Sequence, residues 1–130
     1  MNNPFSLRGK RALVTGGSGK LGSGISHALA RAGATVAISY LGNRERAEQT
    51  VNELIQYSGV AAEAIQADLR VEEDVQNLLN QVVGKFGGLD ILVNNSGVFS
   101  LSLQENLSLD SWREVFAVNV QGLFLCCREA

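Results

Sequence analysis

Residues 14–25 read VTGGSGKLGSGI, a β-branched residue leading into a run of glycines and then into residues with helical periodicity. Glycines between a strand and a helix let backbone approach a diphosphate closely, while the first turn of the helix offers free N–H groups and partial positive charge. Gly16, Ser18, Gly19, Lys20, Leu21 and Gly22 are the candidate phosphate-cradling residues of this turn. Gly17, Gly19 and Gly22 also satisfy the spacing G-x-G-x-x-G, which alone is a weak signal because a glycine-rich turn can simply connect two elements. Position at a first strand-to-helix turn is what shifts the balance toward a nucleotide.

The elements needed to hold such a turn are legible around it. RALVT (11–15), TVAISY (35–40), a weaker AAEAIQA (61–67) and LDILVN (89–94) read as strands, the last as one buried on both faces. Leu21, Ile25, Ala28, Leu29 and Ala32 predict the apolar face of a first helix closed by Gly33. Ala47, Val51, Leu54 and Ile55 predict a second helix ending near Gly59. Val75, Leu78, Leu79, Val82, Val83 and Phe86 predict a third, with Glu72, Glu73 and Asp74 in its first turn and Gly87 and Gly88 at its end. A fourth helix is predicted from the N-cap Ser108 to the last residue, with Trp112, Val115, Phe116 and Leu123 as its buried stripe and the amide of Asn119 inside it. Strands alternating with helices imply an α/β fold, a doubly wound parallel sheet, whose ligands bind beyond the carboxyl ends of the strands. Residues 15–22, 39–46 and 94–97 lie at such ends.

Composition narrows the alternatives. The 130 residues, 45% hydrophobic, suit one domain, and a net charge of −2 with interspersed signs gives no reason to expect nucleic acid or an anionic membrane as partner. Cys126 and Cys127 are sequence neighbours that point apart and, with a lone His27, make no metal site; they read as reduced, structural cysteines. His27 reads as a packed or surface residue. No apolar run reaches the ~18 residues of a membrane span, and the first ten residues lack the apolar centre of a secretory signal, so the chain reads as cytoplasmic.

Four motifs together resemble the short-chain dehydrogenase/reductase family. Thr15, Gly16, Lys20 and Gly22 align with the family's T-G-x-x-x-G-x-G, with Lys20 replacing a glycine; Asp68–Leu69, N-N-S-G at 94–97 and Asn119–Val120 follow in the family's order. The resemblance spans Gly9 to the end and is strongest to the branch of 3-oxoacyl-carrier-protein reductases and glucose dehydrogenases. It implies hydride transfer between a nicotinamide cofactor and a small-molecule carbonyl or alcohol. It further implies that Asp68 meets the adenine amino group, that Asn95, Ser96 and Gly97 lie beside the ribose, and that Asn119 belongs to the catalytic group by holding a water. The family's Y-x-x-x-K is absent: Tyr40 and Tyr57 are followed four residues on by Arg44 and Ala61. The 130 residues are therefore expected to be the N-terminal, cofactor-binding part of a longer single domain, apparently truncated after four strands. Its open sheet edge and last helix are expected to drive association, with a homo-oligomer in the full-length form. A dinucleotide-binding sensor or regulatory module without catalysis is the alternative reading.

Cofactor choice is read at the end of the second strand, where an NAD-selective site places a carboxylate about 20 residues past the glycines. Ser39 and Tyr40 stand there instead, and Arg44 and Arg46 follow, with Lys20 facing the same region. Cations without an early anion suit a 2'-phosphate, so NADP(H) is expected over NAD(H), with Arg44 the main contact and Tyr40 beside it. Both arginines could also be the solvated first turn of a helix.

Overall fold

A computed structural model describes residues 3–130. Four parallel strands, β1 (Arg11–Val14), β2 (Thr35–Tyr40), β3 (Ala62–Gln66) and β4 (Ile91–Val93), form one sheet in the order β3-β2-β1-β4. Helices α1 (Lys20–Arg31) and α2 (Arg44–Ser58) return the chain from β1 to β2 and from β2 to β3. Helix α3 (Glu72–Phe86) returns it from β3 to β4, across β2 and β1, so the winding reverses between β1 and β4. A short 3-10 turn (Gln104–Asn106), α4 (Leu109–Phe116), a π-helical turn (Ala117–Gly122) and α5 (Leu123–Glu129) complete the chain.

Alternation along the strands divides the interior into two layers. Ala12, Val14, Val36 and Ile38 face Ala30, Ala34, Ala47 and Leu54 on the α1–α2 side. Leu13, Ala37 and Ile65 face Val75, Leu78, Leu79, Val82, Leu125 and Cys126 on the α3–α5 side. Both faces being covered explains why β1 and β2 read as continuous apolar runs. Gly59 and Gly87, at φ +68° and +78°, end α2 and α3 in the left-handed conformation that a Cβ disfavours. Asn43 and Ser108 cap α2 and α4 by accepting from the N–H groups of Arg46 and Ser111. Burial pushes the Cys126 thiol up to about 11, in keeping with a structural cysteine.

Three expectations are corrected. The buried line of α1 is Gly22, Ser26 and Ala30, while Leu21 and Ala28 are exposed. Small side chains let α1 lie close to the sheet, and Ser26 meets the cost of burial by donating to the carbonyls of Gly17 and Gly22. On the fourth helical run Trp112, Phe116 and Leu123 are exposed; the buried residues are Gly122, Leu125 and Cys126. Trp112 and Phe116 precede the π-helical turn and share an exposed apolar face with Val120 and Phe124, so apolarity on this run does not mark burial. Strand β4 is half-buried rather than buried, because its far flank is the sheet edge.

At the base of β4, Asp90 clasps Arg11. Its Oδ2 accepts from the Arg11 backbone N–H and Nε, both at 2.8 Å, and its Oδ1 accepts from Nη2 at 3.1 Å. These bonds hold the Asp90 carboxyl at about 2. A folded value below the unfolded one, about 4, means that the stabilisation is complete above that unfolded value. It is lost as pH falls through the folded one. Urea midpoints measured at stepped pH are therefore expected to show wild type ahead of Asp90→Asn at neutral pH, with the gap closing between about pH 4 and about pH 2.

Candidate nucleotide-binding cleft

A cleft of about 390 Å³ opens beyond the carboxyl ends of the strands where the winding reverses. Its walls come from every strand exit: Gly16, Ser18 and Gly19 after β1, Tyr40 and Asn43 after β2, Asp68, Leu69 and Arg70 after β3, and Asn95–Gly97 after β4. Glu114 and Val118 close it from the last helical run.

Thr15 fastens two of these loops together. It is buried, and its Oγ1 accepts from the N–H groups of Asn95 and Ser96, each at 3.0 Å. Asn95 replies from its side chain, donating Nδ2 to the carbonyls of Thr15 (3.0 Å) and Gly16 (3.1 Å). Buried Ser39 accepts from the Gly16 N–H at 3.3 Å and brings the β2 exit into the same network.

The glycines have separable duties. Gly16 has φ +61°, and a Cβ there would come within 2.9 Å of Ser96 Oγ; at Gly22 it would lie 2.1 Å from the Gly16 carbonyl oxygen, and at Gly17 2.3 Å from Ile38. These three are demanded by the protein itself. Gly19 is different: its backbone is ordinary, and a Cβ would meet only the Gly16 oxygen at 3.3 Å. It stands in the cleft wall as the N-cap of α1, which has no side-chain cap, so the first-turn N–H groups keep their capacity for an anion.

Lys20 and Leu21 occupy that first turn with exposed side chains and do not line the cleft. Arg44 also lies outside the lining: it is exposed at the start of α2, with Nε donating to Glu48 Oε1 at 2.8 Å. Leu69 is buried beside Gly122. Asp68 is held below the usual carboxylate range, chiefly by the side-chain hydrogen bonds from Arg70. His27 reaches across to α2, its Nε2 3.3 Å from Glu53 Oε2, away from the cleft.

Asn119 sits half-buried in the π-helical turn and clamps the loop after β4. Its Nδ2 donates to the Val98 carbonyl at 2.7 Å and its Oδ1 accepts from the Val98 N–H at 2.8 Å. Both backbone polar groups of one residue are thereby satisfied by a single amide. π-Helical turns recur at functional sites, and this one points an amide at the segment that follows Gly97.

The model of the family described as short chain dehydrogenase matches residues 10–130. The chain belongs to that family. Among its curated relatives, hydroxynaphthalene reductase of Aspergillus fumigatus is 44% identical over 124 residues, covering 95% of this chain and 45% of the relative. A 3-oxoacyl-acyl-carrier-protein reductase of Staphylococcus aureus is 40% identical, covering 93% of this chain and 49% of its own. A short chain dehydrogenase of Burkholderia cenocepacia, solved in complex with NADP, is 44% identical with a TM-score of 0.91, over 95% of this chain and 50% of that one. A dehydrogenase/reductase of Sinorhizobium meliloti gives a TM-score of 0.93 at 41% identity, over 96% of this chain and 49% of that one. The chain thus spans about half the length of the relatives it matches.

Among the wall residues that escaped the sequence reading, two are charged. Arg70 follows Asp68 by two residues, close enough for a local ion pair, and that spacing was a usable signal. Glu114 lies 44 positions from Arg70 and reaches it only through the tertiary fold.

The division among the glycines is testable by unfolding and binding together. Gly22→Ala is expected to cost about 3 kcal/mol or to prevent folding, because backbone oxygen cannot rotate away from the new methyl. Gly19→Ala is expected to cost less than about 1 kcal/mol while weakening whatever occupies the cleft.

Proposed function

We propose that this chain is the cofactor-binding part of a nicotinamide-dependent oxidoreductase that exchanges hydride with a small carbonyl or alcohol substrate. The observation that carries this reading is the cleft at the winding reversal, whose wall includes Gly19, the N-cap of a helix whose first turn has no side-chain cap. The donor set fits a dinucleotide: free N–H groups for the diphosphate, the Asn95–Gly97 backbone for the ribose, and Asp68 for a base amine. When bound, the nicotinamide supplies the hydride chemistry. This chain's residues bind and orient it: Gly16, Ser18, Gly19 and the turn of Lys20, Leu21 and Gly22 at the diphosphate, Leu69 beneath the base, and Asn119 fixing the loop beyond Gly97.

NADP(H) is favoured over NAD(H) because no carboxylate stands at the end of β2. Ser39 is occupied by the Gly16 N–H, Tyr40 and Asn43 line the cleft, and Arg44 is the first residue of α2. The Arg44–Glu48 pair is solvent-exposed, so Arg44 gives it up for a phosphate at little cost. The NADP complex of the Burkholderia relative is in line with this choice.

The rest of the reading concerns the whole protein. Asn94 Oδ1 is buried without a partner at the exit of the edge strand β4, where a continuing sheet would satisfy it. The exposed face of Trp112, Phe116, Val120 and Phe124 supports self-association in a longer form, in which Ser and Y-x-x-x-K residues complete the site. Trp112 stacks on Phe116 at 4.1 Å, which presents the two rings as one surface.

Fluorescence titration and turnover with both cofactors test the assignment in the intact enzyme. NADPH is expected to bind more tightly than NADH; Arg44→Ala is expected to weaken NADPH about tenfold and leave NADH unchanged. Lys20→Gly is expected to alter affinity by no more than about threefold, since its ammonium is solvated. Equal use of NADH, or an Arg44→Ala variant that keeps the preference, overturns the cofactor choice. For assembly, Phe116→Asp is expected to lower the sedimenting mass at unchanged circular dichroism; an unchanged mass overturns the last-helix contact.

A further inference from the structure

We propose that Arg70 is a positioning residue that sets the base specificity of the cleft, by locking Asp68 so that one acceptor lone pair remains for the exocyclic amine of adenine. This rests on the dinucleotide reading above. Arg70 leaves β3 two residues after Asp68 and folds its guanidinium back on it: Nε donates to Oδ1 at 2.9 Å and Nη2 to Oδ2 at 2.7 Å. The Arg70 backbone N–H donates to Oδ1 as well, at 3.0 Å. A carboxylate oxygen accepts two hydrogen bonds, so Oδ1 is saturated and Oδ2 has one position open. Asp68 lines the cleft with its side chain only one-fifth exposed, so that position belongs to a ligand.

Two further contacts stop the fork from turning. Nη1 reaches Glu114 Oε1 on α4 at 3.4 Å, and the Arg70 carbonyl accepts from Gln121 Nε2 at 3.5 Å. On the other side of Asp68, its own N–H donates to Asp74 Oδ2 at 2.9 Å. The carboxylate is thus held by backbone, by a planar guanidinium and, through it, by a helix from elsewhere in the chain. A lysine cannot reproduce this, because its ammonium is a point charge without a fork. An ionised carboxylate with one fixed free lone pair accepts from an amino group and repels a carbonyl. Adenine carries the amino group at that edge; hypoxanthine carries a carbonyl oxygen.

The test compares NADPH with its hypoxanthine analogue by calorimetric titration of the intact enzyme, in wild type, Arg70→Ala and Arg70→Lys. Arg70 is partly exposed and packs in neither core layer, so both variants are expected to fold. Wild type is expected to prefer the adenine form by about tenfold or more. In Arg70→Ala the preference is expected to shrink to about twofold or less, with Arg70→Lys between. Equal weakening of both ligands in Arg70→Ala, with the ratio retained, would mean a merely structural residue and overturns the proposal. So does a wild type without preference, or an Arg70→Lys variant with the full one. Failure of wild type to bind either ligand overturns the dinucleotide reading itself and is distinguishable from these.

Discussion

The cleft exists because Thr15 and Asn95 hold the exits of β1 and β4 together. A doubly wound sheet leaves a gap where two successive crossovers go to opposite faces, and nothing in the ladder of β1 and β4 dictates what happens past Val14 and Val93. Thr15 Oγ1 takes two backbone N–H groups from the β4 loop, and Asn95 Nδ2 takes two backbone carbonyls from the β1 loop. Four groups that would be costly to bury unpaired are satisfied by two side chains. The turn geometry then becomes obligatory: with the loops this close, Gly16 and Gly22 have no room for a Cβ. The glycine turn, the uncapped helix start and the Asn95–Gly97 wall all descend from that cross-link.

Closeness propagates outward from it. Helix α1 can start beneath the turn only if its sheet-facing line is small, and Gly22, Ser26 and Ala30 are that line. The larger apolar residues of α1 sit to the side, with Ile25 and Leu29 half-buried against the α2-facing layer. Ser26 is placed where a buried hydroxyl can reach the carbonyls of Gly17 and Gly22, so the junction of turn and helix is both dry and paired. Gly17 seals the other side against Ile38 of β2. Packing, rather than contact with any ligand, therefore fixes the backbone of this turn.

How much of this was readable follows from the range of each interaction. The strands and the stops at Gly33, Gly59 and Gly87 were legible because short apolar runs and left-handed caps are local properties. So was the cap Ser108. The buried face of α1 was not: periodicity rules rank residues by hydrophobicity, and here proximity outranked it. The stripe around Asn119 failed for another reason: Trp112 and Phe116 sit on an exposed apolar face, and hydrophobicity alone does not tell a covered face from an uncovered one. Within the cleft, the glycines and Asp68 were found as motif positions, and the separate duties of Gly19 and Gly22 needed coordinates. Arg70 was hidden in plain view two residues from Asp68, and its link to Glu114 could not be seen without the fold.

Charge at the mouth of the cleft has the same division between local and tertiary. Asp68, Arg70 and Glu114 form a net-negative cluster on the β3 side, while the β2 side carries Arg44, Arg46 and, across the turn, Lys20. Among the described residues Lys20 and Arg46 make no ion pair, and Arg44 is held only by an exposed helical partner one turn on. A ligand with an anionic end and an amine-bearing end would therefore meet opposite potentials at the two rims, about as far apart as β2 and β3 exits allow. The cations need no burial to act on it, because a phosphate near the surface keeps its own hydration on one side. The acid does need its clasp: a free carboxylate at the β3 exit would repel the same ligand, and Arg70 both offsets that charge and aims what remains of it.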